Sequence, residues 1–139
     1  DTGKIGVPES ILLKSGPLSR EERRCVEEHA ELGARFAAAH PALAPAAELI
    51  RTHHERFDGT GYPRGLKGAD IPLASRILAV ADAYEALRSE RRYRPAMTRA
   101  QATRHIQEGA ERHFDPDVVK RFLACQEELE DAGRFEAGE

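Results

Sequence analysis

Five residues of the chain are candidate metal ligands by side-chain type and context: Asp1, His29, the adjacent pair His53 and His54, and Asp82. Imidazole nitrogens mixed with carboxylate oxygens suit iron, manganese or zinc, and not a thiolate-rich structural zinc site. Neighbouring residues on a helix point about 100° apart. His53 and His54 are therefore expected to diverge, and to serve two adjacent ions more readily than one. A carboxylate shared between two ions, with a bridging hydroxide, supplies a nucleophile for in-line attack on phosphorus. Two cationic features complement a phosphate. Lys4, three residues from Asp1, offers a point charge. Arg91 and Arg94, three apart with Tyr93 between them, can grip phosphates and stack on a base.

Each residue also has a plainer reading. Asp1 and Lys4 fit an exposed ion pair of little energetic value. His29 fits a satisfied core imidazole. His53 and His54 fit solvated residues at a helix end, where imidazolium suits the negative end of the dipole. Asp82 fits a partner of Arg76 or Arg91, and 90–94 fits a solvated run of charge.

The elements that must position these side chains are helical. Asp1 and Lys4 share a face if they end a helix, which Gly3 and Gly6 would terminate. A short turn over 8–13 follows. Ser19 with Glu22 has the form of a capping box, and the helix it starts is expected to run to about Ala39. The inward stripe of that helix is Val26, His29/Ala30, Gly33 and Phe36/Ala37, and Gly33 would admit a second backbone at close range. Pro45 suits the first turn of a helix running to His54. An 18-residue segment, 55–72, then holds four glycines and two prolines with apolar anchors Phe57, Tyr62, Leu66 and Ile71. Loops of that length inside compact domains tend to be functional, and this one is expected to cover a site.

The helix over 73–87 is apolar on both sides and reads as the most buried. A carboxylate within it, Asp82, needs a cation or several donors to offset its desolvation. Thr98 with Gln101 caps a helix to about Ala110, and Asp115-Pro116 caps the last. Beyond Gln126 an acidic tail or linker is expected. His40, His105 and His113 have no partner pattern and are read as structural or surface residues.

Composition limits what such a chain can be. Its 139 residues fit one domain with a real core, and a content of 40% hydrophobic and 32% charged residues is that of a soluble globular protein. A net charge of −3 gives no basic footprint for duplex nucleic acid. No apolar run approaches the roughly 20 residues that span a bilayer. Cys25 and Cys125 form no CxxC pair and fit free thiols in a reducing cytosol, though a disulfide between them stays open.

Asp1-x-Gly-Lys4, His29-Ala-Glu-Leu-Gly33, His53-His54-Glu55, Gly61-Tyr62-Pro63, Asp82, Arg91-x-Tyr93-Arg94-Pro95 and Phe114-Asp115-Pro116 occur in one order over residues 1–125. In that order they resemble the HD-GYP family, metal-dependent phosphodiesterases of the HD superfamily. The resemblance implies an all-α HD-domain helical bundle over 1–125, with a long Gly/Pro-rich loop beside the metal site and a tail over 126–139. It implies hydrolysis of cyclic di-GMP to pGpG, GMP or both by a metal-bridged hydroxide, in the output domain of a bacterial signalling protein. The cofactors would be two divalent ions, iron or manganese, with a third in some members.

Carried over by position, Asp1 resembles the Asp of the HD dyad and a bridging ligand. His29, His53, His54 and Asp82 resemble the other metal ligands, and Lys4 resembles the residue that stabilises the scissile phosphate. Arg91 and Arg94 match positions that contact phosphate or guanine. The Gly61-Tyr62-Pro63 loop would form the pocket rim, with Tyr62 against substrate, and would meet GGDEF-type or adaptor proteins. A cytoplasmic location is expected, or the cytoplasmic side of a membrane-anchored parent protein, and a homodimer is left open.

The chain departs from the family pattern in places. The His expected immediately before Asp1 is missing because the chain begins there, and so are upstream helices that can supply another ligand. The chain is therefore expected to be part of a longer polypeptide. Arg92 and Ala30 stand where the family often has Pro. Two alternatives stay open: an HD phosphohydrolase acting on another cyclic nucleotide, and a catalytically silent nucleotide-sensing or interaction module.

Overall fold

The structure, a computed structural model, describes residues 1–90 and 95–136, with 127–136 described by their backbone alone. Among the described residues the secondary structure is helical, with one isolated bridge between Ala110 and Phe114. The all-α expectation holds. The chain divides into two compact units, Asp1–Ser75 and Arg76–Glu139.

In the first unit a 3-10 turn over Thr2–Gly6 leads to α1 (Glu9–Leu12), α2 (Arg20–Glu27) and α3 (His29–Ala38). A 3-10 turn over Ala44–Ala46 then runs into α4 (Ala47–Thr52). The capping box at Ser19 forms as expected: its side chain accepts from the Glu22 amide, and the Glu22 carboxylate accepts from the Ser19 amide.

The single helix expected from Ser19 to Ala39 is two, broken at Glu28. The His29 ring explains the break. Its Nδ1 lies 2.5 Å from the Val26 carbonyl, so a side chain competes locally for a backbone acceptor.

α3 packs on small residues. Ala30, Gly33, Ala34 and Ala37 are buried, and a Cβ on Gly3 would fall 1.9 Å from the His29 carbonyl oxygen and 2.6 Å from the Gly33 nitrogen. Gly33 does admit a second backbone, that of Gly3. Phe36, expected on the inward stripe, is instead 59% exposed. At about 100° per residue the buried face through Ala30, Gly33, Ala34 and Ala37 leaves position 36 off to one side, so Ala34 takes the inward position.

Charge ties the neighbouring elements together. Arg51 on α4 pairs with Glu31 on α3 at 2.9 Å and with Glu48 at 2.5 Å, and Glu48 also accepts from Arg64 in the following loop. The Arg51 hydrogen bond holds the Glu31 carboxyl below its ordinary range. Thr52 and Ser75, both 1% exposed, share a buried hydroxyl–hydroxyl bond of 2.6 Å.

α5 spans Leu73–Arg88, and in the second unit it is followed by α6 (Arg99–Glu108) and α7 (Pro116–Glu136). Val80, Leu87, Ala102, Ile106, Phe114 and Val119 form the core of that unit. Thr98 and Gln101 complete the second capping box. Asp115 caps α7 by accepting from the Asp117 and Val118 amides, and also pairs with Arg76. The backbone of α7 stays helical to Glu136, past the point near Gln126 where a tail is expected.

α5 differs from expectation. Leu73, Ile77 and Leu78 are 56%, 51% and 38% exposed, so the helix is not the most buried one. A helix apolar on two sides contributes only its Val80 and Leu87 side to this core. Among the described residues no helix is long and apolar enough to cross a membrane.

Candidate metal centre

Four of the five expected ligands converge in the first unit. Asp1, His29, His53 and His54 each offer a ligand atom, and these atoms lie within 4.8 Å of one another. Asp1 Oδ1 is 3.3 Å from His29 Nε2 and 3.8 Å from His53 Nε2. The four come from a 3-10 N-cap, the first turn of α3, and the two residues that follow α4.

Two of the imidazoles are anchored in the same way. His29 Nδ1 faces the Val26 carbonyl at 2.5 Å, and His53 Nδ1 faces the Ile50 carbonyl at 2.6 Å. A carbonyl only accepts, so each Nδ1 carries the proton and each Nε2 keeps its lone pair for the cluster. His29 Nε2 is a buried nitrogen with no hydrogen-bond partner. An orphaned acceptor aimed at a carboxylate and two further imidazoles is the donor set a divalent cation requires, so the residues present fit one.

Burial, then the neighbouring His53, His29 and Lys4, pushes the His54 imidazole down to about 3. Burial likewise lowers His29. Both rings are neutral at physiological pH, the ligating form.

The expected divergence of His53 and His54 does not occur. It assumed a helix continuing through His54, whereas α4 ends at Thr52. The two ring centroids are 3.9 Å apart with planes tilted by 39°. His54 also meets the Tyr62 ring at 4.8 Å. Burial raises the Tyr62 phenol to about 12, so it stays protonated.

Lys4 donates to Asp1 Oδ2 at 2.9 Å, which places its charge on the cluster carboxylate, and both side chains are substantially exposed. Asp82 belongs to the second unit and is exposed on α5, so the desolvation argument for it does not hold. Its suggested partner Arg76 pairs with Asp115. Arg91 and Arg94 lie outside the described residues.

The residue that sequence reasoning passed over is Glu55, which is 4% exposed and accepts from the Arg64 and Leu66 amides at 2.8 and 3.0 Å. Its place at the head of a glycine-rich loop is the one signal in the sequence, and Asp58 in the same loop shares it.

An HD domain family profile matches residues 1–118. The chain is 47% identical over 136 residues to a cyclic di-GMP phosphodiesterase of Vibrio cholerae serotype O1, covering 93% of this chain and 28% of that protein. It is 42% identical over 141 residues to a cyclic di-GMP phosphodiesterase of Thermotoga maritima, covering 100% of this chain and 38% of that protein. It is also 37% identical over 131 residues to a 3'3'-cGAMP-specific phosphodiesterase of the same V. cholerae serotype, covering 93% of this chain and 25% of that protein. The chain thus spans well under half the length of these curated relatives. The crystal structure of a cyclic GMP-AMP-specific phosphodiesterase from V. cholerae shares the fold, with a TM-score of 0.57 at 23% identity, over 98% of this chain and 34% of that one.

Proposed function

Because the chain belongs to the HD domain family, and within it to the HD-GYP type, we propose that it hydrolyses cyclic di-GMP in a metal-dependent reaction. The observation that carries this reading is the convergence of Asp1, His29, His53 and His54 within 4.8 Å. The names of relatives up to 47% identical indicate the substrate.

The four clustered residues would hold one divalent ion, iron or manganese. Asp82 is the candidate to help hold a second. When bound, such ions supply an activated water at neutral pH and offset the charge of the phosphate. The chain's own residues do the rest. The Nδ1 anchors of His29 and His53 keep both Nε2 atoms turned inward. Released from the Asp1 carboxylate, Lys4 meets the scissile phosphate and stabilises the charge that grows on it. Arg91 and Arg94 bind the second phosphate or a guanine, and Tyr62 lies at the pocket rim. The product is pGpG, and GMP if a second cut follows.

The domain serves as the output of a larger cytoplasmic signalling protein, with the Gly61-Tyr62-Pro63 loop available to a GGDEF-type or adaptor partner. Incubation of the intact parent protein with Mn²⁺ or Fe²⁺ and cyclic di-GMP should release pGpG or GMP on chromatography. Failure to turn over with any divalent metal refutes the proposal. A second reading, hydrolysis of 3'3'-cGAMP, is favoured by the 37% identical relative of that specificity. Relative rates on the two dinucleotides decide between them, and binding without turnover would mark a sensing module.

A further inference from the structure

His54 differs from the other two imidazoles of the cluster. His29 and His53 are each fixed through Nδ1 to a carbonyl three residues back, whereas the His54 ring has no hydrogen bond to any described residue. What holds it is ring packing. The His53 ring lies at 3.9 Å and 39°, the Tyr62 ring at 4.8 Å and 32°, and the His29 ring meets it edge-on at 5.0 Å and 74°.

Tyr62 reaches that position because its loop turns back on its own origin. The Tyr62 amide donates to the His54 carbonyl at 3.3 Å. Gly61 passes so close that a Cβ would lie 2.3 Å from the Arg56 nitrogen and 2.6 Å from the His54 carbonyl oxygen. The two oxygens of buried Glu55 take the amides of Arg64 and Leu66, one each. Two charge-assisted bonds from one carboxylate close the loop beyond Tyr62 as the Tyr62 amide closes it before.

We infer that Tyr62 and Glu55 are positioning residues for the His54 ligand: Glu55 shuts the loop, and the shut loop lays the Tyr62 ring against the imidazole so that its nitrogen stays turned toward Asp1 and His29. This rests on the cluster being a metal site. The ring's flat face does the work and the hydroxyl does not, which separates this role from a hydrogen bond to substrate.

The test is Co²⁺ binding to the intact chain, followed by calorimetry and by the visible spectrum of the bound ion. Tyr62→Phe should bind like the wild type. Tyr62→Ala and Glu55→Ala should each weaken binding by about 10- to 100-fold, the range for residues that orient a ligand, and should shift the spectrum. A double-mutant cycle with His54→Ala gives the readout that a merely structural role would not move. If Tyr62 acts through His54, Tyr62→Ala adds nothing once His54 is gone. Additive losses overturn the inference, as does Tyr62→Ala with unchanged affinity and spectrum. Tyr62→Leu, which fills the space without an aromatic face, carries the same test if Tyr62→Ala does not fold. Should His54→Ala itself leave Co²⁺ binding intact, the metal-site reading has failed; additive losses alongside an impaired His54→Ala sink only the positioning role.

Discussion

Gly3→Ala adds one methyl group where the Thr2–Gly6 turn crosses α3, and its cost can be worked from the geometry. The new Cβ would lie 1.9 Å from the His29 carbonyl oxygen, and ordinary contact begins at 3.4 Å, so the turn must move by about 1.5 Å. Both obstructing atoms are backbone of α3, which cannot yield as a side chain end can. Overpacking of this kind costs about 1–3 kcal/mol. With a urea slope of roughly 1–3 kcal/mol per molar, the midpoint of unfolding should fall by on the order of 1 M. Asp1 stands at the N-terminal end of that turn, and its carboxylate is 3.3 Å from His29 Nε2. A 1.5 Å displacement is large against metal–ligand bonds of about 2.0–2.2 Å. Divalent-ion affinity, measured by calorimetry with Mn²⁺, should therefore drop about 10- to 100-fold, as when a supporting residue is lost. Gly6→Ala is the control. Its Cβ would meet only the Leu32 Cδ1 end at 3.0 Å, so its effect should stay within about 0.5 kcal/mol. Equal midpoints and equal affinities for Gly3→Ala and wild type would refute the argument that this crossing sets the position of Asp1.

The metal-free protein should lose stability as pH falls. His54 and His29 titrate lower folded than unfolded, so the unfolded chain binds more protons, and stability is full above the unfolded value of about 6.5 and declines toward the folded His54 value of about 3; an unfolding midpoint that stays flat from pH 7 to pH 5 would contradict this. In the second unit, Asp115→Ala removes the partner of Arg76 and the cap of α7 together, and should cost about 3–5 kcal/mol in urea unfolding. Asp115→Asn, which keeps an acceptor for the Asp117 amide, should cost less. Lys4→Ala should slow turnover about 100- to 1000-fold, the range for loss of one donor to a developing oxyanion, with bound metal unchanged by elemental analysis. Asp82→Ala should instead lower the metal content as well as the rate, and retention of full metal content would remove Asp82 from the ligand set.

Local chemistry was legible in the sequence. The caps at Ser19, Thr98 and Asp115 depend on a side chain reaching an amide two or three residues on, and each forms as its spacing requires. Gly33 announced a close crossing, and the mix of carboxylate and imidazole pointed to residues of which four do converge. Tertiary structure decided where helices stop and which face is used. α4 ends two residues before His54, so side chains that a continuous helix would splay apart are stacked. Phe36 is turned out because the buried face of α3 runs through Ala30, Gly33, Ala34 and Ala37. Glu55 could not be ranked above other acidic residues from the sequence, because its importance lies in amides nine and eleven positions away. Spacing along one element is set by bond geometry and can be counted, whereas convergence between elements depends on which competing contacts win, and that is settled only when the chain has packed.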